Sequence, residues 1–86
     1  MLTFKDLIFE DIDIVTNIYH QAIILFDNGY EILIQSRDNK VFTVVMLSLI
    51  ADEEYSILKN GVLYNQTSKQ VTQIMKEVQN YKELID

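Results

Sequence analysis

The segment from His20 to Leu49 restricts the fold more than any other part of this chain. It covers about a third of the 86 residues. Two turn signals, Asn28-Gly29 and Asp38-Asn39, divide it into three apolar runs. Asn-Gly is the strongest short-range hairpin signal, because both residues accept the positive φ of a type I′ turn. The segment therefore predicts a three-stranded antiparallel β-meander.

The two turns also predict which residues face each other. A two-residue turn at Asn28-Gly29 places Ile23 opposite Ile34, and a tight second turn places Ile34 opposite Thr43. One face of the sheet would then hold Ile23, Leu25, Tyr30, Ile32, Ile34, Val41, Thr43, Val45 and Leu47. The other would hold Ala22, Ile24, Phe26, Glu31, Leu33, Gln35, Phe42, Val44 and Met46. Both faces are largely apolar, so each needs a cover.

A C-terminal helix is predicted to supply one cover. Thr67 and Gln70 have the spacing of a capping box, which pairs the first free N–H groups of a helix. Apolar residues follow at helical spacing: Val71, Ile74, Met75, Val78 and Ile85. We expect the first four to pack on Leu25, Ile32, Ile34 and Val45.

Two other segments are less clearly patterned. A short N-terminal helix is predicted from about Thr3 to Asp11, although the stretch "DIDIV" that follows alternates as a strand does. Residues 52–64 favour a helix, with acids in its first turn, Lys59 in its last turn and Gly61 beyond it. A hairpin turning at Asn60-Gly61 is the alternative.

These elements add up to a single α+β domain over residues 1–86. At this length one core is expected. The predicted architecture is a three-stranded meander with a short N-terminal helix and one or two C-terminal helices. Three short helices would leave part of the second face uncovered, so Phe42, Val44 and Met46 form a candidate dimer or partner surface.

Charge restricts the partners. Seven Lys and Arg residues stand against thirteen Asp and Glu, a net charge of −6. Direct binding of DNA or RNA needs a basic face that releases counterions from phosphates, and the sequence shows none. Acids interrupt the N-terminus where a signal peptide would be apolar, and no apolar run approaches membrane-spanning length. We expect a cytoplasmic protein that binds neither nucleic acid nor membrane directly.

The residues that carry chemistry are sparse. His20 is the one histidine, cysteine is absent and there are two glycines. A Ser-His-Asp triad could be drawn from Ser36 or Ser48 with His20, but no strand-turn-helix elbow or glycine-supported oxyanion hole accompanies it. Paired acids such as Asp11 and Asp13 are most simply solvated surface charge. We expect no enzymatic activity, no catalytic residue, no metal and no cofactor.

Tyrosines next to acids are the more informative pattern. Tyrosine is enriched at interfaces, because it buries a large area and keeps a polar end. Tyr30 precedes Glu31, and Tyr55 follows Glu54. The predicted partner-binding residues lie in these two segments: Asp27, Asn28, Gly29, Tyr30 and Glu31, then Asp52, Glu53, Glu54 and Tyr55.

The small, acidic, cysteine-free chain with its meander turning on "FDNGYE" resembles, in layout, the phage-encoded anti-CRISPR inhibitors of type II effector nucleases. Some of those proteins place carboxylates where nucleic acid lies in the effector. The positions that the resemblance would assign to this role are Asp27-Asn28-Gly29, Glu31 and the acids Asp52, Glu53 and Glu54.

Two functional hypotheses follow. The first is a non-enzymatic acidic binding protein, an inhibitor from a phage or mobile element that binds a basic, nucleic-acid-handling partner. Electrostatic complementarity would mainly raise its association rate and specificity. The second is a small structural homodimer that pairs through an apolar sheet face or the C-terminal helix.

Overall fold

A computed structural model describes residues 1–14, 17–51 and 54–82 of the chain. It contains a single 3-10 turn, five strands and one α-helix in the described residues. In chain order these are the 3-10 turn Phe4–Asp6, β1 Glu10–Ile14, β2 Asn17–Leu25, β3 Tyr30–Ser36, β4 Phe42–Ala51, β5 Glu54–Gln66 and α1 Ser68–Gln79. The strands form one antiparallel sheet in the order β1-β2-β3-β4-β5. The prediction of a three-stranded meander is therefore wrong: this small α+β fold has a five-stranded sheet and a single helix after it.

The predicted N-terminal helix is wrong: Thr3 and Asp6 form a capping box, but it closes only one turn. The N–H of Thr3 donates to the Asp6 carboxylate over 2.8 Å. Leu7 is already extended, with φ −76° and ψ 138°, so the helix stops there. The alternating residues of Glu10–Ile14 then pair with β2 as a strand.

Residues 54–66 form neither of the predicted structures, a helix or a hairpin. They are the long strand β5, which bulges in its middle: Leu47 pairs with Ile57 and Val45 pairs with Val62. Gly61 is needed in this bulge, since a Cβ there would lie 2.7 Å from the carbonyl oxygen of Leu58. Asn60, at φ 57°, and Gly61 thus bend one strand instead of joining two.

The turn between β2 and β3 has three residues instead of the predicted two. Phe26 and Tyr30 close it, since the N–H of Phe26 donates to the Tyr30 carbonyl over 2.8 Å. Gly29 takes the positive φ, 91°, as in a type I turn followed by a left-handed residue. The added residue shifts the register by one, so Ala22 lies opposite Ile34 and not opposite Gln35.

The turn between β3 and β4 shifts the register by one more residue. Gln35 pairs with Thr43, whereas the predicted turn paired Ile34 with Thr43. Asp38 organises this turn: its carboxylate accepts the N–H groups of Lys40 and Val41, and these hydrogen bonds lower its pKa. The two shifts add up to two residues between β2 and β4, which keeps the side chains of those strands on the predicted faces, so β3 alone was assigned to the wrong face.

The predicted C-terminal helix and its cap are confirmed as far as Gln79, where α1 ends, and the predicted helical residue Ile85 lies outside the described residues. Gln70 N–H donates to Thr67 Oγ1, and Thr67 N–H donates to Gln70 Oε1. The helix buries the four predicted residues, Val71, Ile74, Met75 and Val78, in one cluster with Phe26, Ile32, Ile34, Phe42 and Val44. We call the sheet surface under α1 the helix face.

Part of the predicted packing is wrong. Ile32 and Ile34 lie under the helix as expected, but Leu25 is exposed and Val45 shares its side of the sheet. The predicted dimer patch is also wrong, since Phe42 and Val44 are buried under the helix and Met46 packs against the same cluster. The uncovered surface is the opposite one.

The N-terminal segment extends the cover of the helix face. Phe4 packs edge-on against Phe42, with ring centroids 5.1 Å apart, and Phe9 lies 5.9 Å from the same ring. The N–H of Phe4 donates to the Thr72 hydroxyl of α1 over 3.1 Å. All of the described cover is therefore on one side of the sheet.

Candidate interaction surface

The strand pairing defines a second sheet surface, which we call the open face. Side chains alternate between the two faces of a strand. With Ala22, Ile32, Ile34 and Val44 under the helix, their neighbours along each strand point the other way. The first row across the open face is Leu25, Glu31, Leu47 and Ile57. The second row is Ile23, Leu33, Val45 and Val62, and the third is Gln21, Gln35 and Thr43.

The two apolar rows are left in contact with solvent. Ile23 is 57% exposed, Leu25 55% and Ile57 55%, and the inner members of the rows are half-buried. Within residues 1–14, 17–51 and 54–82, the only non-strand elements are the 3-10 turn and α1, and these pack together on the helix face. The described part of the chain therefore leaves a contiguous apolar surface across β2 to β5.

Glu31 is the carboxylate inside this surface. The register places it directly between Leu25 and Leu47, so two leucines replace part of its water. This burial raises the pKa of Glu31 above its usual range, because the charged form loses solvation. A partner that supplies a donor or a cation here would recover some of that cost.

The opposite end of β3 carries amides and a cation. Gln35 Nε2 donates to Gln21 Oε1 over 2.7 Å, which joins two neighbours in the third row. Arg37, the residue after the end of β3, donates from Nη2 to the Tyr19 hydroxyl over 2.6 Å. Its guanidinium carbon lies 4.9 Å from the centre of the Tyr19 ring. The open face thus has an acid at one end of β3 and a fixed base at the other.

The first predicted partner-binding segment, Asp27 to Glu31, divides into structural and exposed residues. Asn28 is 7% exposed, and its amide donates to the carbonyl of Val78 in the last turn of α1 and to that of Tyr81 just beyond it. Gly29 is buried in the turn, and Tyr30 packs edge-on against Tyr81 at 5.2 Å. Only Asp27 and Glu31 offer their side-chain charge to a partner.

The second predicted segment reaches the same end of the sheet. The Leu49 N–H donates to the Gly29 carbonyl over 3.2 Å, and Leu49 pairs with Tyr55. The structure therefore brings Glu54 and Tyr55 to the end that holds the β2–β3 turn. Asp52 and Glu53 lie outside the described residues.

The one histidine forms an ion-pair geometry but no complete triad. Strand pairing aligns Asp11, His20 and Ser36 in a row, and His20 Nδ1 lies 2.7 Å from Asp11 Oδ1. The Ser36 hydroxyl is committed elsewhere: it donates to the Val41 carbonyl over 2.7 Å and accepts the Asn39 N–H. Ser36 therefore stabilises the β3–β4 turn and is not placed as a nucleophile.

The described residues hold neither a cluster of metal ligands nor a membrane-spanning helix. No group of three or more His, Asp or Glu side chains there is arranged to hold a metal ion. No helix among those residues is long and apolar enough to cross a membrane.

Sequence reasoning missed the open face as a surface, although parts of its signal were present. Leu33 was assigned to the wrong face with the rest of β3. Ile57 was placed in a helix or hairpin, whereas the alternation of Tyr55 and Ile57 is that of a strand. Arg37 was not singled out because an isolated arginine has no motif.

Comparison with protein-family models, with curated proteins and with solved structures finds no match for this chain.

Proposed function

We propose that this chain is a non-enzymatic binding protein and that the open face is its binding surface. One observation carries the proposal: the sheet is covered on its helix face and exposes two contiguous apolar rows on the other. Monomeric proteins rarely expose a continuous apolar patch larger than a few hundred Å². Burial of such a surface yields roughly 25 cal/mol per Å², so covering it would be strongly favourable.

Two isoleucines of β2 provide a matched test. Ile23 lies on the open face and is 57% exposed, while Ile18 lies on the helix-face side of the same strand, beyond the cover, and is 58% exposed. Lysine at either position keeps the monomer folded, because both side chains already reach water. Ile23→Lys is expected to remove self-association and partner capture together, whereas Ile18→Lys preserves whichever of these the wild type shows.

The measurement compares both variants with the wild type by sedimentation and by capture from a cell lysate, with thermal unfolding as the check on folding. A wild type that neither self-associates nor captures a partner contradicts the proposal. The same conclusion follows if Ile23→Lys behaves as Ile18→Lys in both assays.

A second candidate function uses the acidic end of the sheet. We propose that Asp27 and Glu54, both exposed, bind a basic nucleic-acid-handling protein. The observation that favours it is that strand pairing brings the β2–β3 turn and the described part of the second segment, Glu54 and Tyr55, to one end, next to the row that holds Glu31. This candidate corresponds to the resemblance to phage-encoded inhibitors, and it places the protein in the cytoplasm.

Charge reversal at matched sites tests the acidic end. The variant Asp27→Lys with Glu54→Lys changes the net charge by the same amount as Asp13→Lys with Glu77→Lys, and all four side chains are exposed. A fluorescent oligoarginine peptide is the cationic probe. If the acidic end is a site, the first pair weakens peptide binding about tenfold more than the second at low salt, and the difference shrinks as salt screens the charges. If both pairs of substitutions weaken peptide binding equally, Asp27 and Glu54 are ordinary solvated surface charges and not a binding site.

A further inference from the structure

We propose that the open face is covered by a second copy of this chain, in a symmetric dimer whose two sheets stack with their β3 strands antiparallel. This inference rests on the proposed function, because it names the occupant of the same surface. Stacked sheets lie about 10 Å apart with their strands within about 30° of each other. Each copy would supply the cover that its partner lacks.

The surface area agrees with one dimer interface. A typical monomer of this mass, 10.1 kDa, exposes about 5,300 Å². This chain exposes 6108 Å². The difference is roughly 800 Å², which is what each partner contributes to an interface of standard size.

The charges of the open face are self-complementary. In a two-fold interface, residue i of one copy meets residue j of the other and the reverse contact follows by symmetry. Antiparallel stacking places Glu31 of each copy beside the Gln35–Arg37 end of the other. The two copies therefore form two equivalent acid-base contacts, and each supplies a donor to a carboxylate that now lies between Leu25 and Leu47.

Parallel stacking of the same faces is disfavoured. It would set Glu31 against Glu31 and Arg37 against Arg37, and like charges facing each other destabilise an interface. Several other acids of the chain do not oppose association. Asp11 and Asp13 point to the helix-face side of β1, while Asp38 lies in a turn and Glu77 on α1. Glu10, which pairs with Gln21, is exposed on the edge strand β1 and is a second acid of the open face, outside its two apolar rows.

The charge pattern also favours a second copy over a generally basic partner as the occupant of the open face. A basic partner would pair with Glu31 but would meet Arg37 as a like charge. A second copy satisfies both groups at once. The observations on this face therefore favour the same chain as its occupant.

Sedimentation across about 1 μM to 1 mM tests the dimer. We expect the wild type to sediment as a dimer at the upper end of this range. Ile23→Lys is expected to raise the dissociation constant about 100-fold or more, because both copies carry the change at the centre of the interface. Ile18→Lys leaves it within about threefold of the wild type. Circular dichroism confirms that each variant is folded.

A charge exchange tests the antiparallel arrangement. Glu31→Arg alone and Arg37→Glu alone should each raise the dissociation constant about tenfold, because each places like charges in both symmetric contacts. The double variant Glu31→Arg with Arg37→Glu restores the pairs with exchanged signs, so its dissociation constant returns to within about threefold of the wild type. Additive losses in the double variant would overturn the antiparallel arrangement.

Failure of the dimer and failure of the proposed function give different results. A monomeric wild type at about 1 mM whose partner capture is lost in Ile23→Lys overturns the dimer and leaves the open face as a surface for another protein. A dimer that Ile23→Lys does not weaken shows association through another surface. That result overturns both the proposed dimer and the proposal that the open face is the binding surface.

Discussion

Replacing Ile34 with alanine is expected to lower the free energy of unfolding by about 2–5 kcal/mol, the range for a large-to-small change in a core. Ile34 is fully buried at the centre of the helix face, in one cluster with Val44 and Met75. Alanine leaves a cavity that this cluster can fill only in part. The expected loss is a large fraction of the total stability of a domain of this size, roughly 4–13 kcal/mol.

The control is Ile23→Ala, on the neighbouring strand and the opposite face. Its side chain is 57% exposed, so the same deletion should cost about 1 kcal/mol or less in the monomer. Urea denaturation at a protein concentration too low for association gives both values. A loss below about 1 kcal/mol at Ile34 would mean that the register of β3 is wrong, because a slip by one residue exchanges the two faces.

Asn28→Ala is expected to cost about 2–4 kcal/mol, since it removes three hydrogen bonds of one buried side chain at once. The Asn28 amide donates to the Val78 carbonyl over 2.8 Å and to the Tyr81 carbonyl over 3.2 Å. Its Oδ1 accepts the N–H of Tyr30 over 3.2 Å. One side chain therefore joins the β2–β3 turn to the end of α1.

Asp27→Ala is the matched control in the same turn. Asp27 is exposed, and its replacement should change the stability by less than about 0.5 kcal/mol. Thermal unfolding of the two variants, followed by circular dichroism, gives the comparison. Equal shifts of Tm would show that Asn28 acts only as a turn residue and that its contacts with the helix end add nothing.

The sequence predicted the existence of the hairpins but not their register. Asn28-Gly29 fits a two-residue turn, yet three residues form the loop and Gly29 alone takes the positive φ. The three-residue loop is accompanied by a hydrogen bond from the Asn28 side chain to the carbonyl of Val78, fifty residues later at the end of α1. No local pattern encodes that contact, so β3 was assigned to the wrong face.

The N-terminal and β5 errors have the opposite cause, a local signal that was real but short. Thr3 and Asp6 do form a capping box, and it ends after one turn. Asn60-Gly61 does mark a bend, and strand pairing with β4 converts it into a bulge. In both segments tertiary pairing overrides a weak helical preference. The C-terminal helix was predictable because its cap, period and length agree.

The open face could be inferred only once the strands were paired. Each of its two apolar rows takes residues from four strands, and one of those strands, β5, was not predicted as a strand. Of the acids chosen from sequence, the described ones, Asp27, Glu31 and Glu54, lie near its end and not at its centre. Glu31 is the residue that both approaches select, by its position next to Tyr30 in one case and by its burial between two leucines in the other.

Isoleucine methyl NMR at increasing protein concentration tests the central claim most directly. Ile23 and Ile57 lie on the open face, whereas Ile8 and Ile18 lie off it, and all four side chains are more than half exposed. If the open face is the binding surface and a second copy its occupant, the methyl resonances of Ile23 and Ile57 shift with concentration while those of Ile8 and Ile18 stay unchanged. Shifts confined to Ile8 and Ile18, or no shift at any of the four, would contradict the account.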